Sequence, residues 1–139
     1  MTRNPISTSP QTTINEAAKI MRDKKVGSLV IVEEGKLLGL LTEKDIVIKI
    51  AANNSTPKDF TVAEIMTPVE ELITVESSRN IYDAMVLMKD NDVRRLPVVD
   101  NNKLAGIITS KDVLKIDPDL FDMVVDLYDV READRKIRR

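Results

Sequence analysis

Gly39-Leu40-Leu41-Thr42-Glu43-Lys44-Asp45 returns in the same chain as Gly106-Ile107-Ile108-Thr109-Ser110-Lys111-Asp112. The two stretches are 67 positions apart, and that offset holds well beyond them. Residues 6–50 align on 73–117 without a gap, and 14 of the 45 pairs are identical, among them Ile6/Ile73, Ile14/Ile81, Ala17/Ala84, Met21/Met88, Val26/Val93, Leu29/Leu96 and Lys36/Lys103. Other pairs are conservative, such as Leu41/Ile108 and Ile46/Val113. Self-similarity at one fixed period marks a duplicated structural unit.

Each copy reads the same way. A short extended piece comes first, at Ile6-Ser7-Thr8 and at Ile73-Thr74-Val75. Apolar residues at i, i+3, i+4 and i+7 then predict a helix: Ile14, Ala17, Ala18 and Met21 in one copy, Ile81, Ala84, Met85 and Met88 in the other. Thr13 with Glu16 fits a capping box, and Asn80 with Asp83 resembles one. Two short aliphatic runs follow, Leu29–Val32 and Leu37–Leu41, matched by Leu96–Val99 and Leu104–Ile108. Their length and content favour strands. The polar turns Glu33–Lys36 and Asp100–Lys103 predict antiparallel hairpins. A second helix is expected to start near Thr42 and near Thr109. The unit is β-α-β-β-α, and the fold class is α+β.

One unit of about 50 residues would be marginal alone, so the two are expected to pack about a pseudo-twofold axis. The expected organisation is repeat 1 over 1–52, a polar linker over 53–65 ending in a helical turn, repeat 2 over 66–116, and a helical tail over 117–139. In the tail, Leu120, Met123, Val124, Leu127 and Tyr128 form a stripe that runs into the basic end Arg135–Arg139.

Composition narrows the function. The chain has 139 residues, 21 Lys and Arg against 23 Asp and Glu, and a net charge of -2. That balance argues against a whole-surface nucleic-acid binder. With no Cys and no His, thiolate zinc sites, Cys or His nucleophiles and Ser-His-Asp arrangements are excluded. There is no Walker-type G-x-x-x-x-G-K-[ST] and no clustered carboxylate set for metal-assisted hydrolysis, so no catalytic and no metal-ligating residue is expected. Ile, Val and Leu number 41 against four aromatic residues, a large aliphatic core without platforms for stacking bases. No apolar run reaches membrane-span length, and the N-terminus lacks a signal-peptide stretch, so a cytoplasmic protein is the expectation.

Two β-α-β-β-α units, each closed by G-h-h-T-x-x-D (h, an aliphatic residue), resemble the cystathionine-β-synthase (CBS) domain family. Arg94-Arg95-Leu96-Pro97-Val98-Val99-Asp100 is similar to the family's second-strand pattern. Ala63–Pro68 is similar to its lead-in segment, and Met1–Ile6 to a truncated one. The resemblance covers 1–116 and implies a stand-alone tandem pair of the prokaryotic or archaeal type. It implies a regulatory module whose cleft between repeats takes an adenosyl compound (AMP, ADP or ATP, with S-adenosylmethionine or NAD as alternatives). It also implies a homodimer, read by an unknown regulated partner, with no membrane and no cofactor.

The resemblance carries the ligand contacts to named positions. Thr42 and Asp45, with Thr109 and Asp112, would face phosphate or ribose, the carboxylate accepting from a ribose diol as an acidic residue does in dinucleotide folds. The competing reading is that each Thr–Asp pair only caps its helix. Gly27, Ser28, Arg94 and Arg95 would lie at the cleft, where a guanidinium suits phosphate; a surface ion pair with Asp90 or Asp92 is the alternative. Thr2, Ile6, Thr67 and Ile73 would flank the base, with Leu40 and Ile107 as apolar walls; for the aliphatic residues among them the alternative is simple core. Lys44 and Lys111 would meet phosphate or solvent. Pro97 falls in the family strand, whereas Val30 stands at that place in the first copy. Gly39 and Gly106 read as close-approach positions, where a side chain would block the base or crowd the strand, with a plain strand-end glycine as the alternative. Two further function classes stay open: a dimerisation scaffold with degenerate sites, and a nucleic-acid binder working through the basic tail.

Overall fold

The computed structural model describes residues 5–126. The predicted run of elements is present twice. The first copy holds β1 (Ser7–Thr8), α1 (Ile14–Lys24), β2 (Ser28–Glu33), β3 (Lys36–Thr42) and α2 (Glu43–Ile46), which continues into a wide π-type turn at Val47–Ala51. A 3-10 turn (Pro57–Asp59), α3 (Val62–Ile65), β4 (Thr67–Pro68) and a second 3-10 turn (Val69–Glu71) follow. The second copy holds β5 (Val75–Glu76), α4 (Ile81–Asn91), β6 (Arg95–Asp100), β7 (Lys103–Thr109) and α5 (Ser110–Ile116). A turn at Pro118–Leu120 leads into α6 (Phe121–Asp126). Among the described residues no helix is long and apolar enough to cross a membrane.

Contacts divide the described chain into two compact units, 5–72 with 101–104, and 73–100 with 105–126. In the first, α1 buries Ile14, Ala17 and Met21 against Leu29, Ile31 and Leu41 of the hairpin. Thr13 Oγ1 accepts from Glu16 N at 3.2 Å, which satisfies one of the free amides of the first turn. Only this half of the expected capping box forms; the Glu16 side chain is exposed and makes no return bond. The helix stops at Lys25, whose φ of 56° is left-handed. The hairpin β2–β3 is antiparallel, from Ser28 opposite Thr42 to Glu33 opposite Lys36, and β1 pairs with β2 in parallel. Its turn puts Glu34 and Gly35 at φ 53° and 78°, the pair of positive values a tight two-residue hairpin needs.

The second unit repeats the logic. Asn80 Oδ1 accepts from Asp83 N at 2.8 Å, again one-way, and α4 buries Ala84, Met85 and Met88. Leu96, Val98, Ile108 and Val113 complete that core. β5 pairs in parallel with β6, and the β6–β7 turn has Asn101 and Asn102 at φ 50° and 67°. From the expected tail stripe, Leu120 and Met123 pack on this core. Leu127, Tyr128 and the basic end lie outside the described residues.

Residues 53–65, read from composition as a linker, pack with the first unit. Val62 and Ile65 are buried in its core, and α3 is the helical turn expected before Met66. Val62 N donates to Thr12 O at 2.7 Å, Ala63 N to Pro10 O at 3.1 Å, and Ile14 N to Phe60 O at 2.9 Å. β4 then pairs antiparallel with β3, Gly39 opposite Pro68 and Leu40 opposite Thr67. This pairing explains Gly39: a Cβ there would lie 2.6 Å from both Thr67 O and Met66 Sδ. The close approach is strand on strand.

Candidate ligand site at the T-x-x-D turns

Both T-x-x-D turns have one geometry. Thr42 and Thr109 leave their strands extended, at φ -119° and -115°. Thr42 Oγ1 accepts from Asp45 N at 3.2 Å, and Asp45 Oδ2 accepts from Thr42 N at 3.0 Å. Thr109 and Asp112 do the same at the same distances. The Thr hydroxyls and one oxygen of each carboxylate are thus committed to reciprocal capping boxes. Each aspartate keeps its second oxygen, Oδ1, outside the box.

The two turns part company at that oxygen. In the first unit Lys49 Nζ stands 3.5 Å from Asp45 Oδ1 and also donates to Ile65 O at 2.9 Å. At the matching position of the second unit stands Ile116, 56% exposed. Among the described residues no cation pairs with Asp112. Sequence reasoning passed over Lys49, although its place four residues after Asp45, opposite Ile116 in the repeat alignment, was the signal that could have found it.

The backbone before each hairpin docks on the helix start. Glu43 N donates to Gly27 O at 3.0 Å, and Ser110 N donates to Arg94 O at 2.9 Å. Residues 27 and 94 therefore sit next to the capping boxes. Their surroundings differ in charge. The Glu43 carboxylate lies over Gly27, with Oε1 3.3 Å from where a Cβ would be. In the second unit Ser110 is buried and Arg94 and Arg95 are half-buried. Glu43 and Ser110 were also passed over in sequence, because they sit at the variable positions of T-x-x-D.

The remaining expected residues spread over both units. Ser28 opens β2 opposite Thr42, and Leu40 is buried between Val30 and Thr67. Ile6 is half-buried on the first core, its carbonyl accepting from Val30 N at 3.1 Å. Ile73 packs on the second core, Pro97 is buried in β6, and Ile107 is half-buried in β7. Lys44 and Lys111 are exposed, and Thr2 lies outside the described residues. A groove of about 440 Å³ runs along β5 and α4, lined by Val75, Glu76, Arg79, Tyr82, Val86 and Leu87 among others. None of its lining residues was expected at the ligand. No group of three or more acidic side chains fit to hold a metal ion occurs among the described residues.

Comparison with known proteins closes the question of family. The CBS domain model matches residues 1–52 and again 62–119. An uncharacterized protein of Methanopyrus kandleri is 41% identical over 118 residues, 84% of this chain and 59% of that protein. A CBS domain-containing protein of Bacillus subtilis is 38% identical over 116 residues, 81% of this chain and 79% of that one. A conserved CBS domain protein of unknown function from Thermoplasma acidophilum superposes with a TM-score of 0.78 at 25% identity, covering 91% of this chain and 70% of that one. Such pairs are in general regulatory ligand-binding modules. With two matched copies, a doubled β-α-β-β-α order and two identical T-x-x-D turns, this chain belongs to the CBS domain family.

Proposed function

We propose that the chain is a ligand-sensing regulatory module that binds an adenosyl compound at a T-x-x-D turn. Adenine nucleotides (AMP, ADP or ATP) are the first candidates, with S-adenosylmethionine and NAD behind them. The observation that carries this reading is the second carboxylate oxygen of Asp112, Oδ1, which makes no bond within the capping box. The capping box uses only Oδ2, so one carboxylate oxygen is left to accept from a ribose diol. Arg94, whose carbonyl receives the amide of Ser110 beside that box, supplies a forked donor for phosphate. Ile107 and Ile73 add apolar surface from the same unit. The protein works as a homodimer, and an unidentified partner reads the bound state. Binding shifts that partner's response only through unequal affinity for two conformations.

A thermal-shift screen tests this. AMP, ADP, ATP, S-adenosylmethionine and NAD are each added to wild type, Asp45→Asn and Asp112→Asn. A ligand at about 100 times its Kd adds roughly 2.7 kcal/mol, several degrees at this chain length. The expected result is a shift in wild type and Asp45→Asn that vanishes in Asp112→Asn. A second reading, a dimerisation scaffold, is favoured by one observation: both T-x-x-D turns already work as helix caps. Absence of any shift in wild type would decide for it.

A further inference from the structure

The structure assigns Lys49 a role that divides the two halves: we propose that it is the specificity-determining residue that closes the first T-x-x-D turn to ligand and leaves the second as the working site. This rests on the reading of those turns given above and adds which of them fills, and why.

Three observations carry it. The capping boxes are superimposable in their bonds, so the caps themselves do not distinguish the halves. Oδ1 of each aspartate makes no bond within its box and is the oxygen assigned here to a ribose diol. In the first unit that oxygen faces the Lys49 ammonium at 3.5 Å, and the Asp45 side chain is only 15% exposed. Lys49 is also anchored, because its Nζ donates to Ile65 O at 2.9 Å. An anchored cation on the same chain acts at high effective concentration and outcompetes a neutral hydroxyl pair from solution. In the second unit the corresponding side chain is Ile116, which offers Asp112 nothing. The neighbouring charge points the same way, with the Glu43 carboxylate over Gly27 in the first unit and Arg94 at the equivalent place in the second. A nucleotide phosphate is repelled by the former and attracted by the latter.

Isothermal titration of the full chain with AMP and with ATP tests the assignment. Wild type is compared with Lys49→Ile, Ile116→Lys, Asp45→Asn, Asp112→Asn and the double variant Lys49→Ile/Asp45→Asn. The expected wild-type stoichiometry is one nucleotide per chain, lost in Asp112→Asn and kept in Asp45→Asn. Lys49→Ile gains a second site, which the added Asp45→Asn removes. Ile116→Lys, an exposed change that leaves the core alone, weakens wild-type binding about tenfold or more. Two wild-type sites, wild-type binding lost in Asp45→Asn, a folded Lys49→Ile that stays at one site, or an Ile116→Lys that binds like wild type would each overturn the role of Lys49 while leaving nucleotide binding standing. A wild type silent toward both nucleotides would overturn the nucleotide reading and this assignment with it.

Discussion

Thr109 and Asp112 each serve the fold and, in the reading above, Asp112 also serves the ligand, so their substitutions separate two effects. Thr109→Ala removes the acceptor for Asp112 N and is expected to cost about 1 kcal/mol in urea unfolding. Asp112→Asn keeps a side-chain oxygen for Thr109 N, so its unfolding midpoint should fall less, yet it should abolish the nucleotide-induced shift. Parallel losses of stability and binding in both variants would mean that the turn is only a cap. Gly39 makes a second residue-scale case. A methyl there meets Thr67 O, a backbone atom that cannot rotate away. Gly39→Ala should therefore push β4 off β3 and cost roughly 1–3 kcal/mol, visible as a lower thermal midpoint. From composition this glycine was as compatible with an approaching base as with an approaching strand. The pairing of Gly39 with Pro68 decides for the strand, and nothing local in G-h-h-T-x-x-D encodes that partner.

Element by element, the sequence was most legible where a local rule acts alone. The apolar spacing placed α1 and α4, the paired Thr and Asp residues placed the starts of α2 and α5, and the polar turns placed the hairpins. Legibility failed where an element is chosen by contacts distant in sequence. The segment 53–65 is polar, and only its docking through Val62 and Ile65 reveals it as part of a core. The expected box at Thr13 and Glu16 was half right: only the Thr13 side chain makes its bond there, whereas Glu64, equally exposed, completes a full box with Thr61. The helix ends allow a quantitative test. Lys25 and Asp92 both close their helices in the left-handed region, at φ 56° and 50°. A lysine there bears a Cβ strain that glycine does not, while aspartate tolerates the conformation better. Lys25→Gly should stabilise by about 1 kcal/mol, and Asp92→Gly by less, in paired thermal melts. Equal or opposite changes would show that side-chain contacts of Lys25 outweigh its backbone strain.

At the scale of the whole chain, the duplication and the compact units have different boundaries, and this difference has a measurable consequence. The repeat alignment ends its first copy near residue 50, but the first unit extends through residue 72. The extra residues add Val62 and Ile65 to the core, cap the start of α1 through Phe60 O, dock through Val62 N on Thr12 O, and cover β3 with β4. A sequence repeat records what was copied, whereas a folding unit is whatever buries its apolar faces, and here the intervening residues are recruited to one side. A fragment of residues 1–72 should accordingly keep helical circular dichroism and melt cooperatively, while 1–52 should not, since about 50 residues without those contacts bury too little surface. In the full chain Val62→Ala should lower unfolding free energy by about 2 kcal/mol, as large a loss as a core position within either repeat would give. If 1–52 melts like 1–72, and Val62→Ala is silent, the segment is a connector that merely rests on the surface. If both expectations hold, the lead-in to the second repeat is structurally part of the first, and the Lys49–Ile65 bond then ties the first T-x-x-D turn to that recruited segment.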